Sequence, residues 1–284
     1  MPVRKKAIAK KKVIAKRKPS TRGNYSLPTV KREPVENLME YIFLIYGRPG
    51  VGKTTIAASW PDTIMFSCEK ISKGLSFYDF NEENGGVRCW ADFLAGVRLL
   101  EESPDQFTSV CIDTIDVAYL YCFNQVCDER GVEYPPRKDY GQTWAAIRKE
   151  FQSALLRILH TGRGLVLTSH AHEVTVASPC GDEYDQIQPT ISGQGYDVLK
   201  KITDNVFLID YKKGEDGRIH RIIQTLGTDV VDAKRAIDLP DYLPFPKEGG
   251  YDVIDGAFKG TVKGFQVAKP RTAKKKVAAK KKVR

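Results

Sequence analysis

Six consecutive apolar residues, Tyr41-Ile42-Phe43-Leu44-Ile45-Tyr46, run straight into Gly47-Arg48-Pro49-Gly50-Val51-Gly52-Lys53-Thr54. A helix-forming stretch from Lys53 to Trp60 follows, and Pro61 stops it. A strand with no polar alternation has to be buried on both faces, which calls for helices on either side of a sheet. The loop fits GxxxxGK[ST] in full, in the strand-to-helix setting that gives the pattern its meaning. Its glycines let backbone N–H groups turn toward one point, and the start of the next helix adds partial positive charge, so the concavity suits phosphate. The cradle is expected to comprise Gly47, Arg48, Pro49, Gly50, Val51, Gly52, Lys53, Thr54 and Thr55. Lys53 should contact the β and γ phosphates of ATP, and the Thr54 hydroxyl should bind Mg²⁺.

Downstream, apolar runs and helical periodicity alternate. Thr63–Ser67, Ser109–Ile112 and Leu165–Thr168 read as buried strands; Trp90–Glu101, Asp116–Arg130 and Tyr140–His160 read as helices. Asn205–Ile209 and Ile219–Thr225 are close enough to pair as a hairpin across Gly214–Gly217. The expected fold is α/β: a three-layer core with a mainly parallel sheet and a C-terminal β-hairpin.

In a parallel sheet, polar residues at the carboxyl ends of strands collect on one edge. Asp113 closes the third strand, where a carboxylate can hold Mg²⁺ through water. Glu69 lies just past the second strand, in reach of a water beside the γ-phosphate, where it can act as base. His170 ends the fourth strand, where it can sense that phosphate. Each also has a plainer reading, as a surface acid or a structural histidine. The four histidines form no metal-binding pattern.

The net charge of +10 hides a partition. Residues 1–32 carry 12 Lys and Arg and no acid, and residues 256–284 carry 11 and no acid. The 35 acids therefore all lie between Glu33 and Asp255, against 22 basic residues. This divides the chain into a Lys-rich arm over 1–32, a globular domain over 33–255 and a second Lys-rich arm over 256–284. Lys/Ala/Val repeats bury too little apolar surface to fold alone, so both arms are expected to be disordered. Such arms can be solvated tails or localisation signals; two of them on an acidic domain point to nucleic acid, gripped through its phosphates in a salt-sensitive way. The six cysteines show neither a CxxC pair nor zinc spacing and suit a reducing compartment. No apolar run is long enough for a membrane span, and no signal-peptide core opens the chain. A cytoplasmic, nucleoid-associated protein is expected.

The order of these parts resembles the RecA/RadA-like P-loop ATPases, most closely the small phage-encoded branch that includes single-strand annealing ATPases. The resemblance rests on Phe66-Ser67-Cys68-Glu69-Lys70, on Cys111-Ile112-Asp113-Thr114-Ile115-Asp116, on Asp139-Tyr140-Gly141 opening the long helix, and on Leu165–His170. It spans about residues 40–240. It implies that Glu69 is the catalytic glutamate, with Lys53 and His170 beside it. It also implies a ring or filament of identical subunits, and two DNA-facing loops, near 130–139 and 173–195. Asp182, Glu183 and Asp185 make the second loop poor at gripping phosphate, and His170 stands where bacterial recombinases usually carry glutamine. A neighbouring subunit's basic residue is implied at the active site, with Arg221 the candidate. The implied function is ATP hydrolysis stimulated by DNA, single-stranded DNA in the first place and bound independently of sequence, in phage recombination, single-strand annealing or repair. The alternatives are a nucleoid-type coating or packaging protein of low turnover and a P-loop small-molecule kinase.

Overall fold

The computed structural model describes residues 27–70, 73–103, 105–178, 181–191, 193–246 and 249–268. The Lys-rich repeats at 1–26 and 269–284, and Cys180, lie outside the described residues. Residues 27–35 are assigned to a unit apart from the rest and form no helix or strand.

From Glu36 onward the elements follow in the order β1 (Ile42–Gly47), α1 (Lys53–Ala57), β2 (Thr63–Ser67), β3 (Tyr78–Asp79), α2 (Trp90–Glu102), β4 (Ser109–Asp113), α3 (Ile115–Glu129), α4 (Gln142–His160), β5 (Gly164–Ala177), β6 (Glu183–Pro189), α5 (Gly193–Ile202), β7 (Asn205–Lys213), β8 (Ile219–Gln224), β9 (Tyr242–Pro244) and α6 (Gly250–Phe258). The sheet runs β3-β2-β4-β5-β1-β7-β8-β9, with β6 paired to β5. Strands from β3 through β7 are parallel; β8 and β9 close the sheet antiparallel.

The unbroken apolar runs are accounted for by two cores. Phe43, Ile45, Met65, Cys111, Val166 and Phe207 face α1 and α6, while Leu44, Tyr46, Phe66, Val110, Ile112, Leu165 and Leu167 face α2 to α5. Alternate residues of one strand thus enter opposite cores, and no position is left for a polar side chain until the strand ends. The three-layer α/β expectation is met, including the β7–β8 hairpin. Cys68, Cys111, Cys122 and Cys127 are buried free thiols, and Cys89 is an exposed one.

Two expectations are corrected. The loop over 173–195 is largely a β-ribbon: β5 leaves the core at His170 and continues as Ala171–Ala177, paired antiparallel with Glu183–Pro189. Once outside the core, Val174 and Val176 alternate with Glu173, Thr175 and Ala177, the two-residue period of a half-exposed strand. The fold also extends past residue 255, because α6 buries Ile254 and Ala257. Beyond it, Phe265 N–H bonds Tyr242 O at 2.7 Å and Ala268 N–H bonds Lys213 O at 2.8 Å, fastening 261–268 to the sheet. The start of the basic run does not mark the end of the folded chain.

Candidate functional site

The strand register brings the expected residues to one edge. Gly47 pairs with His170 across β1 and β5, and Ser67 pairs with Asp113 across β2 and β4. Glu69 follows two residues after Ser67. Because β5 lies between the glycine-loop strand and the Asp113 strand, His170 stands between Lys53 and Glu69.

The loop needs its glycines for different reasons. Gly50 and Gly52 have φ of 74° and 102°, the left-handed region that side chains resist. A Cβ on Gly47 would instead sit 2.7 Å from the Ile209 carbonyl of the neighbouring strand. Helix α1 covers Lys53–Ala57, and hydrogen-bonded turns carry the chain on to Trp60, so the expected helix is shorter. Beside it, Gly50, Gly52, Lys53, Thr54, Thr55, Gly74 and Leu75 line a cleft of about 340 Å³. Arg48 and Pro49 are exposed at its rim, and Val51 is buried.

Lys53 is 6% exposed. Its ammonium donates to Gly47 O at 3.1 Å and Arg48 O at 3.2 Å, and lies 3.3 Å from His170 Nδ1. On its other nitrogen, His170 Nε2 is 3.0 Å from Glu69 Oε1. An ammonium only donates and a carboxylate only accepts, so Nδ1 accepts and Nε2 carries the hydrogen. Burial lowers the Lys53 pKa below the usual lysine value, while Asp113, Glu69 and Asp116 push it back up.

The Thr54 hydroxyl donates to Asp113 Oδ2 at 2.9 Å, and Thr168 donates to the other oxygen of the same carboxylate. The Asp113–Thr114 peptide is cis. This oxygen-only pair fits Mg²⁺, a hard ion that takes one or two protein ligands and completes its shell with water and phosphate. Among the described residues no cluster of three metal-ligating His, Cys, Asp or Glu side chains exists.

A carboxylate-bearing loop, a lysine on a glycine cradle and a hydroxyl–carboxylate pair thus meet at one sheet edge. Residues 39–237 match the AAA domain family, well over half of the chain. The chain belongs to the AAA domain family. It is a P-loop ATPase domain, and the fold agrees with that membership. A shorter stretch of 96 residues is 33% identical to the peroxisomal Lon protease homolog 2 of Pichia angusta, covering 33% of this chain and 10% of that protein. The chain therefore spans about a tenth of the length of that curated relative. Among the described residues of this AAA domain, no helix is long and apolar enough to cross a membrane.

Sequence reading missed the residues that hold the site in shape. Thr114 Oγ1 donates to Glu69 Oε1 at 2.9 Å, and the Tyr121 hydroxyl donates to Cys68 O at 3.1 Å, fixing the loop that bears Glu69. Asp116 accepts from Ser169, His170 and Thr190. A hydroxyl after Asp113 and an acid in the first turn of α3 were visible, but their partners lie 45 to 74 residues away. Arg221, expected to reach a neighbour, is engaged within its own chain: it donates to Val51 O at 3.0 Å and stacks 3.6 Å over the Phe245 ring. It backs the glycine loop instead.

The connection expected to face DNA joins two antiparallel helices, with Tyr119 against Phe151 and Phe123 against Trp144. Phe123, Tyr134 and Trp144 form a ring cluster with centroids 5.5–5.7 Å apart. Along the same connection Arg130, Arg137 and Lys138 are exposed, Tyr134 is 64% exposed and Tyr140 is 94% exposed. Asp139 accepts the Gly141 and Thr143 N–H groups at 2.8 and 2.9 Å, fixing the turn into α4. A hydrogen bond from the Thr143 side chain first, and these two backbone bonds after it, hold the Asp139 carboxyl below its ordinary pKa.

Proposed function

We propose that the protein is an ATP-hydrolysing, DNA-binding protein of the RecA/RadA-like kind, acting on single-stranded DNA in phage recombination, annealing or repair. The observation that carries this reading is the origin of the base. Position 114, next to Asp113, is a threonine, and the carboxylate beside Lys53 and His170 is Glu69, from the end of β2.

In this reading Lys53 leaves its loop carbonyls for the β and γ phosphates and neutralises them. Glu69, held by Thr114, orients the attacking water and takes its proton. His170 exchanges its Lys53 contact for the γ-phosphate. Thr54 and Asp113 would hold Mg²⁺, which would supply further neutralisation of the phosphate charge.

The helical tip supports the DNA part. Exposed aromatic rings give bases a stacking surface, and Arg130, Arg137 and Lys138 meet the phosphates. The ribbon has no Lys or Arg from Ala171 to Ile191 and carries Glu173, Asp182, Glu183 and Asp185, so it does not grip phosphate. The Lys-rich arms supply the remaining, sequence-independent affinity. A ring or filament would complete the site with a neighbour's basic residue; with Arg221 engaged in its own chain, exposed Arg218 at the β7–β8 turn is the better candidate.

The test is steady-state ATP hydrolysis with and without single-stranded DNA, for the intact chain, Lys53→Ala and a variant with Ala at 130, 137 and 138. The reading expects DNA to stimulate hydrolysis, Lys53→Ala to abolish it, and the triple variant to lose the stimulation but keep the basal rate. Hydrolysis indifferent to DNA, with DNA binding unchanged in the triple variant, would favour a coating protein whose arms alone hold DNA.

A further inference from the structure

β1 stops before the strands on either side of it. Gly47 pairs with Ile209 on β7 and with His170 on β5. There β1 turns into the glycine loop, while β7 runs on to Lys213 and β5 to Ala177. A cavity of about 320 Å³ lies between the two continuing strands, bordered by Ala171 and Glu173 on one side, Leu208 and Asp210 on the other, and Arg48 at the glycine loop. Its two acids are poorly met. Among the described residues the cation nearest Asp210 is Lys212 at 3.7 Å, and that nearest Glu173 is Arg48 at 3.9 Å. Both lie well beyond the roughly 2.7–2.9 Å of a charge-assisted hydrogen bond.

The edge of β7 beside this cavity faces away from β8. Gly214 N–H donates to Arg218 O, so alternation turns the peptide groups of Lys212 and Asp210 toward β8 and those of Lys213 and Tyr211 outward. The end of the described chain has already joined that outward edge. Val267 bridges Gly214 antiparallel, and Ala268 N–H donates to Lys213 O at 2.8 Å. Carried on, this register sets Lys269 opposite Lys212, Pro270 opposite Tyr211 and Arg271 opposite Asp210. It can go no further, because Gly47 already pairs with Ile209.

We propose that residues 269–271 of the chain's own C-terminal arm dock along β7, with the Arg271 guanidinium in the cavity between Asp210 and Glu173. Directly opposite residues share a face of the sheet, and positions 210 and 271 form the closer, non-hydrogen-bonded kind of pair. A planar guanidinium, with five donors, can serve two carboxylates at once. Backbone pairing alone does not hold the segment. Pro270 accepts from Tyr211 N–H but returns no N–H, and Lys269 meets Lys212, whose ammonium turns to Asp210. The charge pairing at Arg271 therefore decides whether the arm stays. Docked in this way, the Lys-rich remainder at 273–284 starts beside Arg48, at the glycine-loop edge of the sheet.

The experiment is amide hydrogen exchange in the full chain, read at Tyr211 by NMR. It compares wild type with Arg271→Glu, Asp210→Arg and the swapped pair, Asp210→Arg with Arg271→Asp. The amides of Phe207 and Leu208, inside the sheet, report that each variant is folded. Tyr211 should exchange about threefold or more slowly in wild type than in either single variant, the protection of a segment docked about two-thirds of the time. The swapped pair should restore that protection. Equal exchange in wild type and Arg271→Glu overturns the docking, and so does a swapped pair that recovers nothing. Protection that rises with protein concentration assigns the site to the arm of a second copy and overturns the intrachain contact. If Asp210→Arg does not fold, Arg271→Glu and Glu173→Arg decide: wild-type protection of Tyr211 in either one overturns the proposal.

Discussion

Glu69→Gln separates chemistry from architecture at this site. Both bonds that hold the side chain converge on one oxygen: Thr114 Oγ1 lies 2.9 Å and His170 Nε2 3.0 Å from Oε1, while Oε2 is 3.4 Å from His170. A glutamine carbonyl placed at Oε1 keeps both donors, and its amide replaces the oxygen free to take a proton from water. The substitution should therefore leave the loop, the cleft and nucleotide affinity as they are. Loss of general-base catalysis costs about 10²- to 10⁴-fold in rate, or roughly 2.7–5.5 kcal/mol of barrier. Single-turnover hydrolysis with saturating enzyme reads the chemical step, and titration with a fluorescent nucleotide reads affinity. The expected result is affinity within about twofold of wild type and a hydrolysis rate at least about a hundredfold lower. Wild-type turnover in Glu69→Gln would refute the assignment of Glu69 as the base. Loss of affinity with rate unchanged at saturation would show that Glu69 binds and does not catalyse.

Further outcomes follow from single contacts. Gly52→Ala meets both a φ of 102° and a Phe245 ring carbon 2.6 Å from the new Cβ, whereas Gly50→Ala meets only its φ of 74° with open space around it. Chemical denaturation should show the Gly52 variant losing more than the roughly 1–3 kcal/mol of backbone strain expected for Gly50→Ala. Arg163 is 7% exposed and donates to the carbonyls of Leu100, Ser103, Gln106 and Phe107 at the opposite edge of the sheet. Arg163→Met should cost roughly 3–5 kcal/mol by leaving those acceptors unpaired, with nucleotide affinity unchanged in the folded protein. Lys53 has a lowered pKa in the nucleotide-free chain, with burial the main cause, so as pH rises it deprotonates before an ordinary lysine would. Phosphate binding needs the cation; in that alkaline window affinity should fall with rising pH and binding should take up a proton, which calorimetry in buffers of different ionisation enthalpy detects.

Much of this site is readable along the chain because parallel strands end at one edge. Once β1, β2, β4 and β5 are recognised as buried runs, the polar residues that end or follow them, Lys53, Glu69, Asp113 and His170, have to gather there. What the linear order hides are contacts between distant residues. Asp116 looks like any acid in a helix's first turn until Ser169 and Thr190 arrive beside it. Arg221 sits in a hairpin that resembles a solvated surface, and only the packing of Phe245 against Gly52 turns it onto the glycine loop. The ribbon was obscured because β5 does not stop where its burial does, and the valines at 174 and 176 look like loop residues beside so many acids. The basic composition from residue 256 concealed α6, whose Ile254 and Ala257 sit in the core on one side of the sheet.

The central claim is that a γ-phosphate is held by Lys53 and sensed by His170 in front of Glu69. An experimental structure with Mg²⁺ and a non-hydrolysable ATP analogue tests it most directly. The account predicts the γ-phosphate within hydrogen-bonding distance of Lys53 Nζ and the His170 ring, with the metal on Thr54 Oγ1 and Lys53 released from the Gly47 and Arg48 carbonyls. A nucleotide bound elsewhere, or one whose γ-phosphate leaves the Lys53–His170–Glu69 contacts as they are here, would contradict it.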